Sequence, residues 1–234
     1  MAVVTEKSQV ENIAQKQLSL EEQLQDLRPV EISNKSYCFI KRMIDIVVSV
    51  LGIAVLLVPF VLVAIVVYID DPGTVIFSQK RVGHKGEHFR LYKFRTMKKE
   101  TPKYMATSDV DDPTKYITRV GKILRKLSLD EIPQLLNVLK GDMSLVGPRP
   151  LIPNEEDIHA MRERFGVYEV RPGVTGLAQV NGRDLVLPAD KVRYDVRYIE
   201  NFGFWMDVKI LFATVPKVFS CVGVIEGHGD SRKK

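Results

Sequence analysis

An unbroken apolar segment near the amino terminus constrains the fold more than any other feature. From Ile44 to Ile69 the sequence reads IDIVVSVLGIAVLLVPFVLVAIVVYI, and it carries no charge after Asp45. About 20 apolar residues are enough to span the hydrocarbon core of a bilayer. A buried helix of such length and uniformity would be unusual in a chain of 234 residues. The segment therefore predicts a membrane-embedded helix.

The path of this helix depends on Pro59 and on the flanking charges. Pro59 removes a backbone hydrogen bond near the middle, which predicts a kink or a break. Both flanks are basic, and basic flanks prefer the cytoplasmic side. The basic residues are Lys35, Lys41 and Arg42 before the segment, and Lys80, Arg81, Lys85, Arg90, Lys93, Arg95, Lys98 and Lys99 after it. We predict a re-entrant helix, broken at Pro59, that enters one leaflet and returns, with a kinked single crossing as the alternative.

Three charged residues stand where this helix begins. Lys41 and Arg42 precede Asp45 by four and three residues, and on a helix these spacings favour local ion pairs. A functional interpretation is also open, because cations at this depth can bind the phosphate of a lipid head group.

Shorter patterns indicate an α+β fold that is mainly α. TVIFSQKRVGHKGEHFRLYKFRTM, residues 74–97, predicts a small β-hairpin that turns at GHKGE and carries Lys93 and Arg95 on its second arm. RVGKILRKL predicts an amphipathic helix whose basic face suits a membrane interface. DVRYIENFGFWMDVKILFATVPKVF predicts further interfacial helices, with core packing as the alternative for its aromatic residues, which are Tyr198, Phe202, Phe204 and Trp205.

The stretch SLDEIPQ places two acidic residues side by side at a helix start. Ser128 and Glu131 fit an S-x-x-E capping box. With Ser128 as the N-cap, however, Pro133 would fall beyond the first turn and leave a carbonyl without its N–H partner. With Asp130 as the N-cap, Pro133 lies inside the first turn of a helix that ends at Gly141. The proline therefore weakens the capping-box interpretation.

Asp130 and Glu131 suit two different chemical tasks. Adjacent residues on a helix point about 100° apart, so the two carboxylates cannot act symmetrically on one atom. One can attack an electrophile while the other holds a divalent cation. A helix N-terminus and Arg125 are expected to keep both ionised and to attract phosphate. The GPRP turn fixes Arg149, whose guanidinium can clamp phosphate oxygens.

Several of these motifs, in this order, resemble one protein family. KRMIDI, the apolar segment with its proline, FRLYKFRTM, LSLDEIPQLLNVLKGDMSLVGPRP and RPGVTGLAQVNGR are similar to motifs of the bacterial sugar transferases, the monotopic polyprenyl-phosphate phosphoglycosyl transferases. The likeness covers residues 41 to about 219. One departure is Val58 before Pro59, where the family often has serine, so a hydroxyl that could bond the freed carbonyl is missing.

The resemblance implies a reaction and a set of roles. A sugar 1-phosphate would pass from a UDP-sugar to a polyprenyl phosphate such as undecaprenyl phosphate, with release of UMP. Asp130 would be the nucleophile that forms an aspartyl-phosphosugar intermediate, and Glu131 would bind Mg²⁺. The remaining site residues expected are Arg125, Arg149, Lys93, Arg95, Gln179, Asn181 and Arg183 for substrate or phosphate, and Lys41, Arg42, Asp45 and Pro59 for the membrane and polyprenyl phosphate.

The expected organisation has four parts. Residues 1–34 form a polar extension, read as an exposed or peripherally docked helix; residues 35–72 form the re-entrant helix; residues 73–220 form a cytoplasmic catalytic domain with interfacial helices; and residues 221–234 form a tail. The net charge of +5 suggests anionic partners. The basic residues follow the membrane segment and no nucleic-acid motif appears, so membrane lipids are expected rather than nucleic acid.

Two matters stay open on sequence alone. The first is the sugar and the pathway, for which the family implies a priming step of exopolysaccharide, capsule or glycoconjugate synthesis at the cytoplasmic face of the bacterial inner membrane. The second is the oligomeric state and any partners in polysaccharide assembly. The alternative to an enzyme is a non-catalytic, membrane-anchored binding or scaffold protein of such an assembly.

Overall fold

The computed structural model describes residues 19–32, 34–101, 116–182 and 186–220. Within these ranges the fold is mainly helical with two small sheets. The helices are α1 (Lys35–Asp70), α2 (Arg119–Lys126), α3 (Gln134–Lys140), α4 (Glu156–Arg164), α5 (Leu177–Gly182), α6 (Pro188–Glu200) and α7 (Phe204–Ser220). The strands are β1 (Ile76–Val82), β2 (His88–Phe94), β3 (Ser144–Val146) and β4 (Gly173–Thr175), and single 3₁₀ turns cover His84–Gly86, Leu129–Glu131 and Val167–Glu169.

Helix α1 is the predicted long apolar helix. It begins after Asn34, whose side chain accepts a hydrogen bond from the Tyr37 backbone N–H, and it runs for 36 residues. Only 6% of its most apolar 18-residue window is buried, so by length, composition and exposure it can lie in a membrane. Helical backbone continues through Pro59. The predicted break is therefore not seen, and the re-entrant path stays a prediction.

The amino-terminal end of α1 is tied to the rest of the fold by its polar residues. Asp45 accepts a hydrogen bond from the Leu145 N–H at 3.0 Å, and Lys41 forms an ion pair with Asp207. The prediction of local ion pairs among Lys41, Arg42 and Asp45 is therefore wrong. Residues far away in sequence compete for these groups, and no sequence spacing shows that competition.

Two further contacts strengthen this end of α1. Arg42 donates to the carbonyls of Val138 and Leu139 at the end of α3, at 2.6 and 2.9 Å. Asp207, at the start of α7, also accepts hydrogen bonds from the hydroxyls of Tyr37 and Tyr198, each at 2.8 Å. A buried carboxylate with three donors is well satisfied.

The carboxyl-terminal end of α1 contacts the same globular body. Asp70 accepts from the Val120 N–H at 3.0 Å, which ties α1 to the first turn of α2. Val67 is 3% exposed and packs in one cluster with Phe94 and Leu124. Both ends of this 36-residue helix are thus fastened to elements of a single folded unit.

The two sheets bring separate motifs together. Strands β1 and β2 form the predicted antiparallel hairpin, with Ile76 opposite Phe94 and Val82 opposite His88. Strands β3 and β4 are parallel and join the GPRP segment to the RPGVTG segment. A Cβ atom on Gly147 would lie 2.4 Å from the Arg171 carbonyl, so the close approach of the two segments requires glycine there.

The main hydrophobic core lies between α4, α6 and α7, and part of the amino-terminal extension belongs to it. Leu20 and Leu24 are 4% and 1% exposed and pack in this core. Arg193 holds the same segment through Asp26, at 2.6 and 2.7 Å. The described part of the extension is therefore docked more deeply than the sequence predicted, because its partner surface comes from residues over 100 positions away. Residues 1–18 of the predicted extension, and the predicted tail 221–234, lie outside the described residues.

The aromatic residues of the carboxyl-terminal helices divide into two groups. Tyr198 and Phe202 are buried in the main core, as the core-packing alternative proposed. Phe204 and Trp205 are exposed, as are Phe212 and Val215 on the same helix. These residues, together with Ile123 on α2, are large apolar side chains that are exposed outside α1.

Candidate active site

The acidic pair lies in a short 3₁₀ turn between α2 and α3. Ser128 has a left-handed backbone (φ 55°), makes no side-chain capping bond, and is followed by the turn Leu129–Glu131. The capping box is therefore absent. Asp130 is not the N-cap either: that position belongs to Pro133, just before α3. A tight turn inserted between the helices was not visible in the helical periodicity.

Lys93 reaches both carboxylates from the second arm of the hairpin. Its Nζ donates to Glu131 Oε1 at 2.6 Å and lies 3.8 Å from Asp130 Oδ2. All three side chains are mostly buried, with 10 to 19% of their surfaces exposed. The hairpin thus supplies the cation that holds the two acids in one site.

The two acids have opposite pKa shifts. Burial raises the pKa of Asp130 and Glu131 raises it further, against the opposing charges of Lys93, Arg125 and Arg149. Burial alone would also raise the pKa of Glu131, but Lys93, Arg149 and a hydrogen bond from Gln134 outweigh it and lower that pKa to about 2. Nearby cations lower the pKa of both acids, as expected; at Asp130 burial outweighs them, whereas at Glu131 they outweigh burial.

Arg149 is the second cation beside Glu131. Its Nη1 lies 3.4 Å from Glu131 Oε1. A hydrogen bond holds the backbone at Arg149: Arg162 Nη1 donates to the Arg149 carbonyl at 2.8 Å. Arg162 in turn forms a fully buried ion pair with Asp195 at 2.6 Å.

Arg125 and Arg95, which were also predicted to bind phosphate, contact residues of other elements of the fold. Arg125 donates through Nε to Thr96 Oγ1 at 2.8 Å, and its charge acts on Asp130. Arg95 is buried at the end of α1, where it bonds the Asp71 carbonyl and pairs with the Asp71 carboxylate at 3.5 Å. The predicted role of each in phosphate binding stays a prediction.

The Gly-rich motif contributes packing at the described positions. Gln179 donates to the Val174 carbonyl at 3.3 Å, and its Oε1 is buried without a hydrogen-bond partner among the described residues. Asn181 is exposed and donates to the Leu177 carbonyl within α5. Arg183 lies outside the described residues. Substrate contacts by these three stay predictions.

A shallow cleft opens beside Glu131. It contains about 220 Å³ of empty space, open solvent included, and is lined by Arg81, Leu91, Lys93, Glu131, Gln134, Arg149, Pro150 and Gly173. Sequence reasoning did not assign a site role to Arg81 or Gln134. Strand alternation was the available signal for Arg81. Successive side chains of a strand point to opposite faces, so Arg81 lies on the face away from its exposed neighbour Lys80.

The donor set suits Mg²⁺ only in combination with a substrate. No cluster of three or more acidic, histidine or cysteine ligands occurs in the described part of the chain. Mg²⁺ commonly binds through one or two carboxylates together with substrate phosphates. An ionised Glu131 next to Asp130 fits that pattern.

Comparisons with known sequences point to one family. A family model described as "Bacterial sugar transferase" matches residues 36–221. The exopolysaccharide production protein ExoY of Sinorhizobium fredii is 36% identical over 76% of this chain and 84% of its own length. The UDP-glucose:undecaprenyl-phosphate glucose-1-phosphate transferase of Caulobacter vibrioides is 40% identical over 77% of this chain and 70% of its own length.

A third relative is longer. The UDP-N-acetylgalactosamine-undecaprenyl-phosphate N-acetylgalactosaminephosphotransferase of Aeromonas hydrophila is 40% identical over 87% of this chain, which spans 48% of that protein. The match to the family model includes almost all of the long apolar helix α1, the acidic turn and the GPRP segment. The chain therefore belongs to the bacterial sugar transferase family.

Proposed function

We propose that this protein transfers a sugar 1-phosphate from a UDP-sugar to undecaprenyl phosphate and releases UMP, as a priming step of exopolysaccharide or glycoconjugate synthesis. The observation that carries the proposal is the buried Asp130–Glu131 pair, with opposite pKa shifts and with Lys93 and Arg149 beside it. Names of relatives that specify UDP-sugars and undecaprenyl phosphate support the same reaction.

In the first half of the reaction, a carboxylate oxygen of Asp130 attacks the β-phosphorus of the UDP-sugar. An oxygen–phosphorus bond forms to Asp130, and the bond from the β-phosphorus to the bridging oxygen breaks. UMP leaves with that oxygen and the electron pair. In the second half, a phosphate oxygen of the polyprenyl phosphate attacks the same phosphorus and frees the Asp130 carboxylate.

The surrounding charges make the approach of two anions feasible. Lys93 and Arg149 provide positive charge next to the attacked phosphorus, and a buried site strengthens these interactions. Glu131 is the residue expected to hold Mg²⁺, which would supply charge neutralisation to the diphosphate. Because the pKa of Glu131 is about 2, its carboxylate is ionised at any working pH and needs no proton release to bind a cation.

The contacts of α1 support a re-entrant or in-plane position on one side of the membrane. A straight helix of 36 residues is about 54 Å long. A crossing helix would separate its ends by the roughly 30 Å hydrocarbon core. Yet Asp45 near one end bonds Leu145, and Asp70 at the other bonds Val120, all in one folded unit. We place that unit at the cytoplasmic face, in accordance with the basic flanks.

A UMP-release assay tests the reaction. Purified protein in detergent, with undecaprenyl phosphate and Mg²⁺, is screened against UDP-sugars, since the relatives are named for different sugars. One donor is expected to give UMP, and Asp130→Asn and Glu131→Gln are expected to lose activity by several orders of magnitude. Glu156→Gln, an exposed carboxylate change on α4, is the matched control. Full activity in Asp130→Asn, or no UMP with any donor, would leave the scaffold alternative in place.

Labelling in intact cells tests the topology. A cysteine placed at Ser36, in a chain whose own cysteines are replaced by serine, is expected to resist a membrane-impermeant maleimide until the inner membrane is opened. Labelling from the periplasm in intact spheroplasts would indicate a crossing helix and would overturn the one-sided placement.

A further inference from the structure

Among the charged residues that line the described cleft, Arg81 is the one to which the proposed reaction assigns no role. It lies on β1 opposite Phe89 and lines the same cleft as Lys93, Glu131 and Arg149. The Nη atoms of Arg81 bond only neutral groups: Nη2 donates to Gln79 Oε1 at 2.7 Å and Nη1 to the Pro150 carbonyl at 3.2 Å.

The Arg81 guanidinium therefore lacks a counter-ion among the residues that the structure describes. Its Nε is buried without a hydrogen-bond partner, and no described carboxylate lies within ion-pair distance. By contrast, Lys93 and Arg149 both contact Glu131. A buried, unpaired cation is unfavourable, and such groups persist where a ligand completes them.

The electrostatics of the cleft agree with this imbalance. Burial and the nearby charge of Arg149 together lower the pKa of Arg81 to about 10, although Glu155 and Glu131 act in the opposite direction. Two arginines that repel each other across an open cleft form an attractive site for a multiply charged anion. The planar guanidinium of Arg81 carries five N–H donors, more than its two neutral partners use, and guanidinium groups match the oxygens of a phosphate.

The position of Arg81 selects which phosphate it takes. Lys93 contacts both acids, so it lies at the phosphorus that Asp130 attacks. Arg81 contacts neither acid and bonds instead the carbonyl of Pro150, next to Arg149. The next anionic group along a nucleoside diphosphate is the phosphate attached to the nucleoside.

We propose that Arg81 binds the nucleoside-side phosphate of the donor and retains it on the departing nucleoside monophosphate. This assignment rests on the proposed function and adds a residue to it. It makes Arg81 a binding residue for the first half-reaction only, because no nucleotide is present when the polyprenyl phosphate attacks.

Nucleotide binding tests the assignment without turnover. Titration of UMP into the purified protein by calorimetry is compared for the wild type, Arg81→Gln, Arg81→Lys and Lys80→Gln. Lys80 is the matched control, since it is the exposed neighbour on the same strand and carries the same charge. Loss of a charge-assisted hydrogen bond predicts UMP binding weaker by about 10- to 150-fold in Arg81→Gln. Arg81→Lys should lie between, and Lys80→Gln should resemble the wild type.

Kinetics separate binding from a general structural effect. In a two-step reaction, Arg81→Gln should lower kcat/KM for the UDP-sugar and weaken inhibition by UMP, while kcat/KM for undecaprenyl phosphate stays unchanged. The melting temperature of Arg81→Gln should be no lower than that of the wild type, because the substitution removes an unpaired buried charge.

The outcomes distinguish the two proposals. If wild-type UMP binding is absent, or if Arg81→Gln binds UMP normally, the assignment of Arg81 is overturned. An equal loss in Lys80→Gln, or an equal fall in kcat/KM for both substrates, overturns it as well. If UMP binding depends on Arg81 but no UDP-sugar yields UMP, the assignment stands and the proposed function fails.

Discussion

Replacing Asp195 by alanine tests whether the buried Arg162–Asp195 ion pair stabilises the protein and positions the turn that carries Arg149. The side chains of Arg162 and Asp195 are 3% and 2% exposed and 2.6 Å apart. Asp195→Ala leaves the Arg162 guanidinium buried without its counter-ion. Loss of one partner of such a pair costs about 3–5 kcal/mol. For a chain of this size, that corresponds to a fall in Tm of roughly 6–20 °C.

The double variant Arg162→Met/Asp195→Leu separates stability from positioning. Burial raises the pKa of Asp195 in spite of Arg162, so desolvation outweighs the attraction within the pair. Replacing both charges by apolar groups is therefore expected to restore most of the stability. It also removes the hydrogen bond from Arg162 to the Arg149 carbonyl, so activity should stay low.

The assays are thermal unfolding in detergent and the UMP-release rate at 20 °C below the lowest Tm. A double variant that is as unstable as Asp195→Ala would refute the desolvation reasoning. A stable double variant with wild-type kcat and KM would refute the claim that Arg162 positions the Arg149 turn.

Two further predictions follow from the site and the packing around it. Lys93→Met should move the acid limb of the pH profile for kcat/KM of the UDP-sugar to higher pH, because the charge of Lys93 lowers the pKa of Asp130 and its loss lets that pKa rise; a shift to lower pH would contradict this. Gly121→Ala should destabilise the protein by about 1–3 kcal/mol or more, since its Cβ would lie 2.1 Å from the Thr96 carbonyl. Gly86→Ala, with a φ of +74° and no atom within 4 Å, should show only a backbone cost of about 1 kcal/mol in the same melts, and equal losses would contradict the packing argument.

Local patterns were sufficient for the elements that depend on neighbouring residues. The β1–β2 hairpin, the amphipathic helix α2 and the glycine that ends α3 all follow from alternation, periodicity or a left-handed backbone position. The acidic pair could also be found, because Pro133 lies five residues after Ser128 and conflicts with Ser128 as the N-cap of a capping box.

Contacts between distant residues could not be obtained in this way. Lys93 meets Glu131 from 38 positions away, and Lys41 pairs with Asp207 from 166 positions away. Sequence spacing suggested the nearest partner for Lys41, although a buried carboxylate from another helix offers a stronger interaction. The raised pKa of Asp130 likewise depends on burial, which periodicity in a single turn does not reveal.

The helix break illustrates a different limit. Proline removes one hydrogen bond, but helical backbone continues on both sides of Pro59, and Phe60 and Val67 on its carboxyl-terminal side pack in the cluster of Phe94. The one-sided placement of α1 is supported by the contacts at its two ends instead of by a break.

Intact-protein mass spectrometry tests the central claim most directly. The protein is mixed with Mg²⁺ and its UDP-sugar in the absence of polyprenyl phosphate, and the mass is recorded within seconds. We expect the wild type to gain the mass of one sugar phosphate, with the label on Asp130, and Asp130→Asn to gain nothing. UMP release without any adduct, or an adduct that persists in Asp130→Asn, would contradict the account.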